Sequence, residues 1–357
     1  GEPMVPVAKT VVHAVHAALA RGKTFYPPTS GIPALKRAAA RWMNGTHGSN
    51  SYTPQETLVV PGGKFGIFML LQALIRKGDE VLIPAPYWVS YPSMVRIFGG
   101  TPRFLRSSER SGWKISASDV IKNVTRKTKI LIINSGTNPT GALYSRKELG
   151  AILNAAWRKG LFVISDEVYS GLAYDTRYVS AASFPRHRAD VAIIESTSKS
   201  FAMTGFRVGF VFLKDPALMK TITGLVSQSA TGVATMNQWG ALAALKDAKR
   251  ITARVRASMR ERRDAFAETF EAAFGRKLVL PPSGIYAFIS LKDLGWKGRD
   301  SVAFCRRALD EVNVAIVPGR GFGAEEYVRM SFGGDPKVTG GGVRALALWI
   351  KKRGKNR

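Results

Sequence analysis

One cysteine, Cys305, stands in 357 residues, so no disulfide can form within the chain and no site built on several thiolates is possible. Histidine is nearly as scarce. His13, His16, His47 and His187 are scattered, and only His13 and His16 stand three apart on a helix-like stretch. Zinc needs more ligands than that pair supplies, so no metal site is expected. No apolar run approaches the roughly 18 residues of a membrane-spanning helix. Acidic residues are few as well: 25 Asp and Glu face 53 Lys and Arg, a formal net charge of +28. Such a surface attracts anions, nucleic acid included. The basic residues are dispersed, however, with modest clusters at Lys249-Arg250, at Arg260 to Arg263 and over Lys351 to Arg357. They read as solvated helix faces and a frayed tail, and neither a specific nucleic acid nor a membrane is expected as partner. The first residue is Gly and no leader is visible, so a processed or partial chain of a cytoplasmic protein is expected.

What is present is the composition of a globular protein, 45% hydrophobic and 22% charged. The length suggests two domains. Short apolar runs alternate with helical patterns. Strands are expected at Thr57–Val60, Glu80–Ile83, Lys129–Asn134, Leu161–Ser165, Val191–Glu195 and Arg207–Leu213, with helices at Phe65–Arg76 and Arg146–Lys159. Buried, non-alternating strands separated by helices indicate an α/β fold with a mostly parallel sheet covered on both faces. From Ala248 the texture changes to an α+β pattern: a long basic helix over Ile251–Phe274, a strand near Ser283–Ile289, a helix Ser301–Val312, and strands Val314–Val317 and Val328–Phe332. The expected division is a large domain of residues 13–248 and a small domain of 1–12 with 249–357.

Ligands of such sheets sit beyond the carboxyl ends of the strands. Gly62-Gly63-Lys64 follows the first strand at a helix start, where free N–H groups favour an anion. No G-x-x-x-x-G-K-[ST] pattern exists, which argues against a nucleoside triphosphate. Asp166 follows another strand, with Tyr169 three residues on. A carboxylate there either meets a cation, such as a protonated ring nitrogen, or caps a helix. Lys199 follows Ser196-Thr197-Ser198, and Arg207 lies eight residues later. A lysine so placed forms a Schiff base when burial or nearby positive charge lowers its pKa; otherwise it is a surface lysine.

Together the motifs exceed their separate weights. The run Ser196 to Gly209 resembles the pyridoxal-phosphate attachment site of class I aminotransferases. Tyr26-Pro27-Pro28-Thr29-Ser30-Gly31-Ile32-Pro33 resembles another block of that family. So do Pro86 to Pro92, Asn138-Pro139-Thr140-Gly141, Asp166 to Tyr169, Pro282 to Tyr286, Val317-Pro318-Gly319 and Val328 to Ser331, in the family's order over nearly the whole chain. The nearest group is the prokaryotic-type aspartate aminotransferases, prephenate aminotransferases among them.

The resemblance implies pyridoxal 5'-phosphate as cofactor and the fold type I architecture, the large domain joined to a smaller α+β domain. Lys199 would carry the cofactor covalently and shuttle a proton. Asp166 would pair with the pyridinium nitrogen. Asn138 and Tyr169 would bond the ring's 3′ oxygen, and Trp88 would stack on the ring. Gly63, Ser196, Ser198 and Arg207 would hold the phosphate, with Lys64 beside them and Tyr26 from a second subunit of a homodimer. Arg329 would grip the substrate's α-carboxylate, Lys64 would meet a distal carboxylate, and Gly1, Trp88 and Asn138 would complete the substrate side. The implied activity is ping-pong transfer of an amino group between an acidic amino acid and a 2-oxo acid. A fold type I lyase or synthase, or a basic aminotransferase-like binding protein, remains the alternative. Two departures stand out. Gly1-Glu2-Pro3 runs into Met4-Val5 rather than Asp-Phe, without the arm that precedes it in the family. Ser135-Gly136-Thr137 stands where the family has Ser-Pro-Asn, and glycine there should loosen the turn.

Overall fold

A computed structural model describes residues 1–47 and 52–355. Seven strands form the main sheet: β1 (Thr57–Val60), β2 (Glu80–Ala85), β3 (Thr101–Arg106), β4 (Thr128–Asn134), β5 (Phe162–Asp166), β6 (Val191–Ser196) and β7 (Gly209–Phe212). Their order is β1-β7-β6-β5-β4-β2-β3. Only β7 runs against its neighbours. The central strands are apolar on both faces because helices cover both. Leu131, Ile133 and Ile193 pack in one buried cluster, while Ile130, Ile132 and Ile194 pack in the other. A second, antiparallel sheet holds β8 (Tyr286–Ser290), β9 (Val317–Pro318) and β10 (Tyr327–Ser331), in the order β8-β10-β9.

Several element boundaries depart from the sequence reading, each for a local reason. Helix Gly63–Leu74 starts two residues early, so its first turn includes Gly63 itself. Arg207 is not in a strand: it ends a short turn at φ 54°, and β7 begins only at Gly209. Gly284, at φ 79°, delays β8 to Tyr286. Of the strand expected over Val314–Val317 only Val317 is paired, in the two-residue β9. Strand β3 is an addition. It lies at the sheet edge, mostly exposed, and its TPRFLR sequence lacks an apolar run.

Basic residues are not all solvated. Arg263, on the helix Ala248–Phe274, is 3% exposed and binds Asp175 and Asp264, each at 2.8 Å. Arg262 donates to the carbonyls of Gly333 and Gly334, each at 2.7 Å. The basic tail is likewise helical, within Pro336–Lys355; its last two residues, 356 and 357, lie outside the described residues. Among the described residues no helix is long and apolar enough to cross a membrane.

Candidate active site

The carboxyl ends of β4, β5 and β6 lie side by side, and Asn134 pairs in register with Asp166. This is where the topology puts a ligand. A cavity of about 460 Å³ opens there. Every residue the sequence singled out for the site lines it except Tyr26, which is 89% exposed elsewhere on the surface.

Asp166 forms the cavity's deep wall. Its side chain is fully buried, and the Tyr91 hydroxyl donates to it at 2.5 Å. Burial pushes its carboxyl up to about 6, against the pull of the Tyr91 and Val168 donors. No ion pair offsets this carboxylate among the described residues. Asn134 braces the strand end: its amide donates to the Asp166 carbonyl at 2.8 Å, and its oxygen accepts from the Asn138 N–H at 2.9 Å. Asn138 in turn accepts from Arg329 at 3.0 Å. Arg329, on β10, lies 4.0 Å from the Tyr286 ring centroid and 4.9 Å from that of Phe322. Those rings limit where its guanidinium can go.

Lys199 sits in the single turn Thr197–Ser200 after β6. Its Nζ donates to the Gly1 carbonyl at 2.6 Å. Burial lowers its pKa to about 8; Glu2 opposes that, and Arg329 and Arg207 add to it. A neutral amine is therefore accessible near physiological pH, the condition a Schiff-base lysine needs.

The same cavity holds an anion cup. Ser196 Oγ and Ser198 Oγ stand 2.8 Å apart, at the mouth of the turn that carries Lys199. Arg207, whose backbone sits at φ 54°, donates from its guanidinium to the Thr204 carbonyl at 2.9 Å. The backbone at Gly62-Gly63 approaches so closely that side chains are excluded. A Cβ on Gly62 would lie 2.5 Å from Arg207 Nη2, and one on Gly209 would lie 2.5 Å from the Gly63 nitrogen. Free N–H groups of a helix start, two hydroxyls and a guanidinium thus converge, a set suited to a phosphate dianion. Lys64 Nζ rests 4.9 Å from the Trp88 ring centroid, and both line the cavity.

These residues fit pyridoxal phosphate. The cup suits its phosphate, the uncompensated buried Asp166 suits its ring nitrogen, and Lys199 is within the same cavity. Gly136 lies in the turn before Asn138. Gly136 adopts φ 75°, which proline cannot reach, and its N–H donates to the Ala142 carbonyl at 2.8 Å.

The site also uses residues to which the sequence reading gave no role. Tyr91, Asn134 and Tyr286 lie inside recognised blocks or at a strand end, and only helix packing and strand register reveal what they touch. Glu2 and Thr204 hydrogen-bond one another at the cavity edge.

Comparison with known proteins decides the family. A family model described as "Aminotransferase class I and II" matches residues 1–346. The chain belongs to that family. It is 36% identical over 350 residues to a probable aspartate/prephenate aminotransferase of Aquifex aeolicus, covering 97% of this chain and 88% of the relative. The fold is similar to that of the aspartate aminotransferase from Thermus thermophilus solved with maleate, at TM-score 0.91 and 34% identity, covering 98% of this chain and 90% of that one. An aromatic aminotransferase from Pyrococcus horikoshii superposes at TM-score 0.93 with 32% identity, covering 99% and 95%. This aminotransferase therefore shares its architecture with relatives of differing substrate names.

Proposed function

We propose that the enzyme uses pyridoxal 5'-phosphate to move an amino group between a dicarboxylic amino acid and a 2-oxo acid, one substrate leaving before the next binds. The observation that carries this reading is a pair of cations lining the same cavity as Lys199. Arg329 stands on the small sheet and Lys64 at the start of helix Gly63–Leu74, and both line the cavity that holds the Lys199 amine. A guanidinium offers a planar fork to an α-carboxylate, which fixes the amino group's position. An ammonium on a flexible stem meets a second carboxylate at more than one distance. The relative solved with maleate, itself a dicarboxylate, supports the assignment.

In this reading the cofactor supplies an electron sink for the substrate's Cα–H bond when it is bound. Ser196, Ser198, Arg207 and the Gly63 N–H would anchor its phosphate, with Tyr26 of a second subunit joining them in a homodimer. Asp166 would keep the ring nitrogen protonated, and Tyr91 would orient that carboxylate. Asn138 and Tyr169 would bond the ring's oxygen, and Trp88 would cover its face. Lys199, once released by the incoming amine, would act as the base that moves the proton from the substrate's Cα. The division into residues 13–248 and a small domain of 1–12 with 249–357 belongs to the same proposal. It is supported by Met4 N–H donating to the Gly333 carbonyl at 2.8 Å, which ties the first residues to the far part of the chain.

Lys64→Ser tests the reading, assayed with aspartate and with phenylalanine. Losing a charge-assisted contact costs about 1.5–3 kcal/mol, or about ten- to a hundredfold in kcat/KM for aspartate. Phenylalanine should be nearly unaffected. Equal losses for both would assign Lys64 to the cofactor phosphate and remove the support for a dicarboxylic substrate.

A further inference from the structure

Behind the strand ends lies a second cluster that the aminotransferase reaction does not use. His47, Glu167 and Glu195 are all buried, and one ligand atom from each lies within 4.8 Å of the others. His47 Nε2 and Glu195 Oε1 are 3.8 Å apart, too far for a hydrogen bond. His47 Nε2, Glu167 Oε2 and Glu195 Oε1 have no hydrogen-bond partner. The remaining carboxylate oxygens are fixed. Glu167 Oε1 accepts from Ser165 Oγ at 2.8 Å and from the Ala181 N–H at 2.9 Å, and Glu195 Oε2 accepts from the Ser196 N–H at 3.3 Å. Ser180 also lies beside Glu167 and Ser170 beside Glu195, yet one oxygen of each carboxylate keeps no hydrogen-bond partner. The His47 ring is held edge-on by Trp42 and Tyr178, at centroid distances of 6.4 and 6.0 Å.

We infer that His47, Glu167 and Glu195 form a divalent-cation site, best suited to zinc, that clamps the ends of β5 and β6 to the end of helix Pro33–His47. Three unpartnered polar atoms in one buried space are costly unless something binds them. Two carboxylates and a divalent cation cancel in charge, whereas two bare carboxylates do not. One imidazole and two carboxylate oxygens are zinc-type ligands, and second partners already orient both carboxylates as they do in metal sites. Zinc–ligand bonds of about 2.0–2.2 Å in a tetrahedron put ligand atoms about 3.3–3.5 Å apart. The 3.8 Å His47–Glu195 gap is within a few tenths of an ångström of that. The neighbouring cleft of about 830 Å³, lined by His47, Ser170 and Tyr178, reaches the histidine side of the cluster. Arg41 and Arg177 line the same cleft and should make loading slow. The role is structural, because Glu167 follows Asp166 and Glu195 precedes Ser196, so an ion here fixes the backbone on which two active-site walls rest.

The test is metal analysis of the holoenzyme after prolonged incubation with zinc chloride and gel filtration. Wild-type protein should keep one equivalent per chain and melt at a higher temperature than chelator-treated protein. Glu195→Gln and His47→Gln should lose both, and a His13→Gln/His16→Gln double variant should keep both. Zinc-edge X-ray absorption on the wild type needs no variant, and should show an N/O shell with a single imidazole. No retained zinc in the wild type, undiminished retention in Glu195→Gln, or a shell of two imidazoles would overturn the site. Transamination by zinc-free protein would leave the proposed function intact in any of those cases.

Discussion

Arg329 donates to Asn138 Oδ1 at 3.0 Å, so one hydrogen bond joins the small antiparallel sheet to the turn after β4. The guanidinium is placed by the same asparagine proposed to lie against the cofactor ring, so in that reading recognition of the α-carboxylate is tied to the cofactor's position.

Arg329→Lys should raise KM for every amino-acid substrate alike, because the α-carboxylate is common to all of them. Replacing a planar fork by a point charge should cost about ten- to a hundredfold in kcat/KM, by the loss of a charge-assisted hydrogen bond of about 1.5–3 kcal/mol. Steady-state kinetics with aspartate and phenylalanine measure it. A selective loss for aspartate would move Arg329 to the distal carboxylate.

Asp166→Asn should leave the cofactor bound but reduce turnover by orders of magnitude, since an amide cannot hold the ring proton. Tyr91→Phe should act in the same direction and more weakly. It removes only the 2.5 Å donor that orients the carboxylate. Single-turnover rates measured beside cofactor content separate the two effects. Near-normal turnover in Asp166→Asn would reduce that residue to a structural element.

Lys199 has its pKa lowered to about 8, chiefly by burial. Only its neutral form attacks an aldehyde, and the neutral fraction grows as pH rises. The rate of covalent cofactor uptake by the apoenzyme should therefore climb with pH up to about 8 and level off above it. A rate still climbing steeply toward the ordinary lysine range would contradict this. Borohydride reduction and peptide mapping should place the label on Lys199 alone.

How much of this was legible in the sequence follows from where the chemistry sits. Asp166, Ser196 and Lys199 stand at the ends of apolar runs such as LFVIS, so locating the strands located them. Arg207 was recognisable by its motif, but its left-handed backbone was not, because a non-glycine residue rarely takes that conformation and nothing in its type signals it. Tyr91 and Asn134 escaped for a different reason. Their partners lie 75 and 32 residues away, and only the packing of helix Ser90–Ile97 and the β4–β5 register bring them to Asp166. His47, Glu167 and Glu195 share no local pattern at all. Strand β3 was hidden by its polarity, since an edge strand need not be apolar.

Tyr26 is exposed and outside the cavity of its own chain, which is what a residue serving a second subunit requires. Tyr26→Phe should weaken cofactor affinity about tenfold or more, the loss expected for a hydrogen bond to a charged group. Mixing Tyr26→Phe chains with Lys199→Ala chains should restore wild-type affinity at one site of each hybrid dimer. A lack of recovery, or an active monomer in sedimentation, would defeat the shared site.

The most direct test of the central claim is a half-reaction. The cofactor-loaded enzyme is mixed with aspartate alone, and the released 2-oxo acid and the cofactor's visible absorbance are followed together. The account predicts one equivalent of 2-oxo acid per site, a matching shift in absorbance, and full reversal on adding a 2-oxo acid. Release of ammonia or carbon dioxide, or product formation only when both substrates are present, would contradict it.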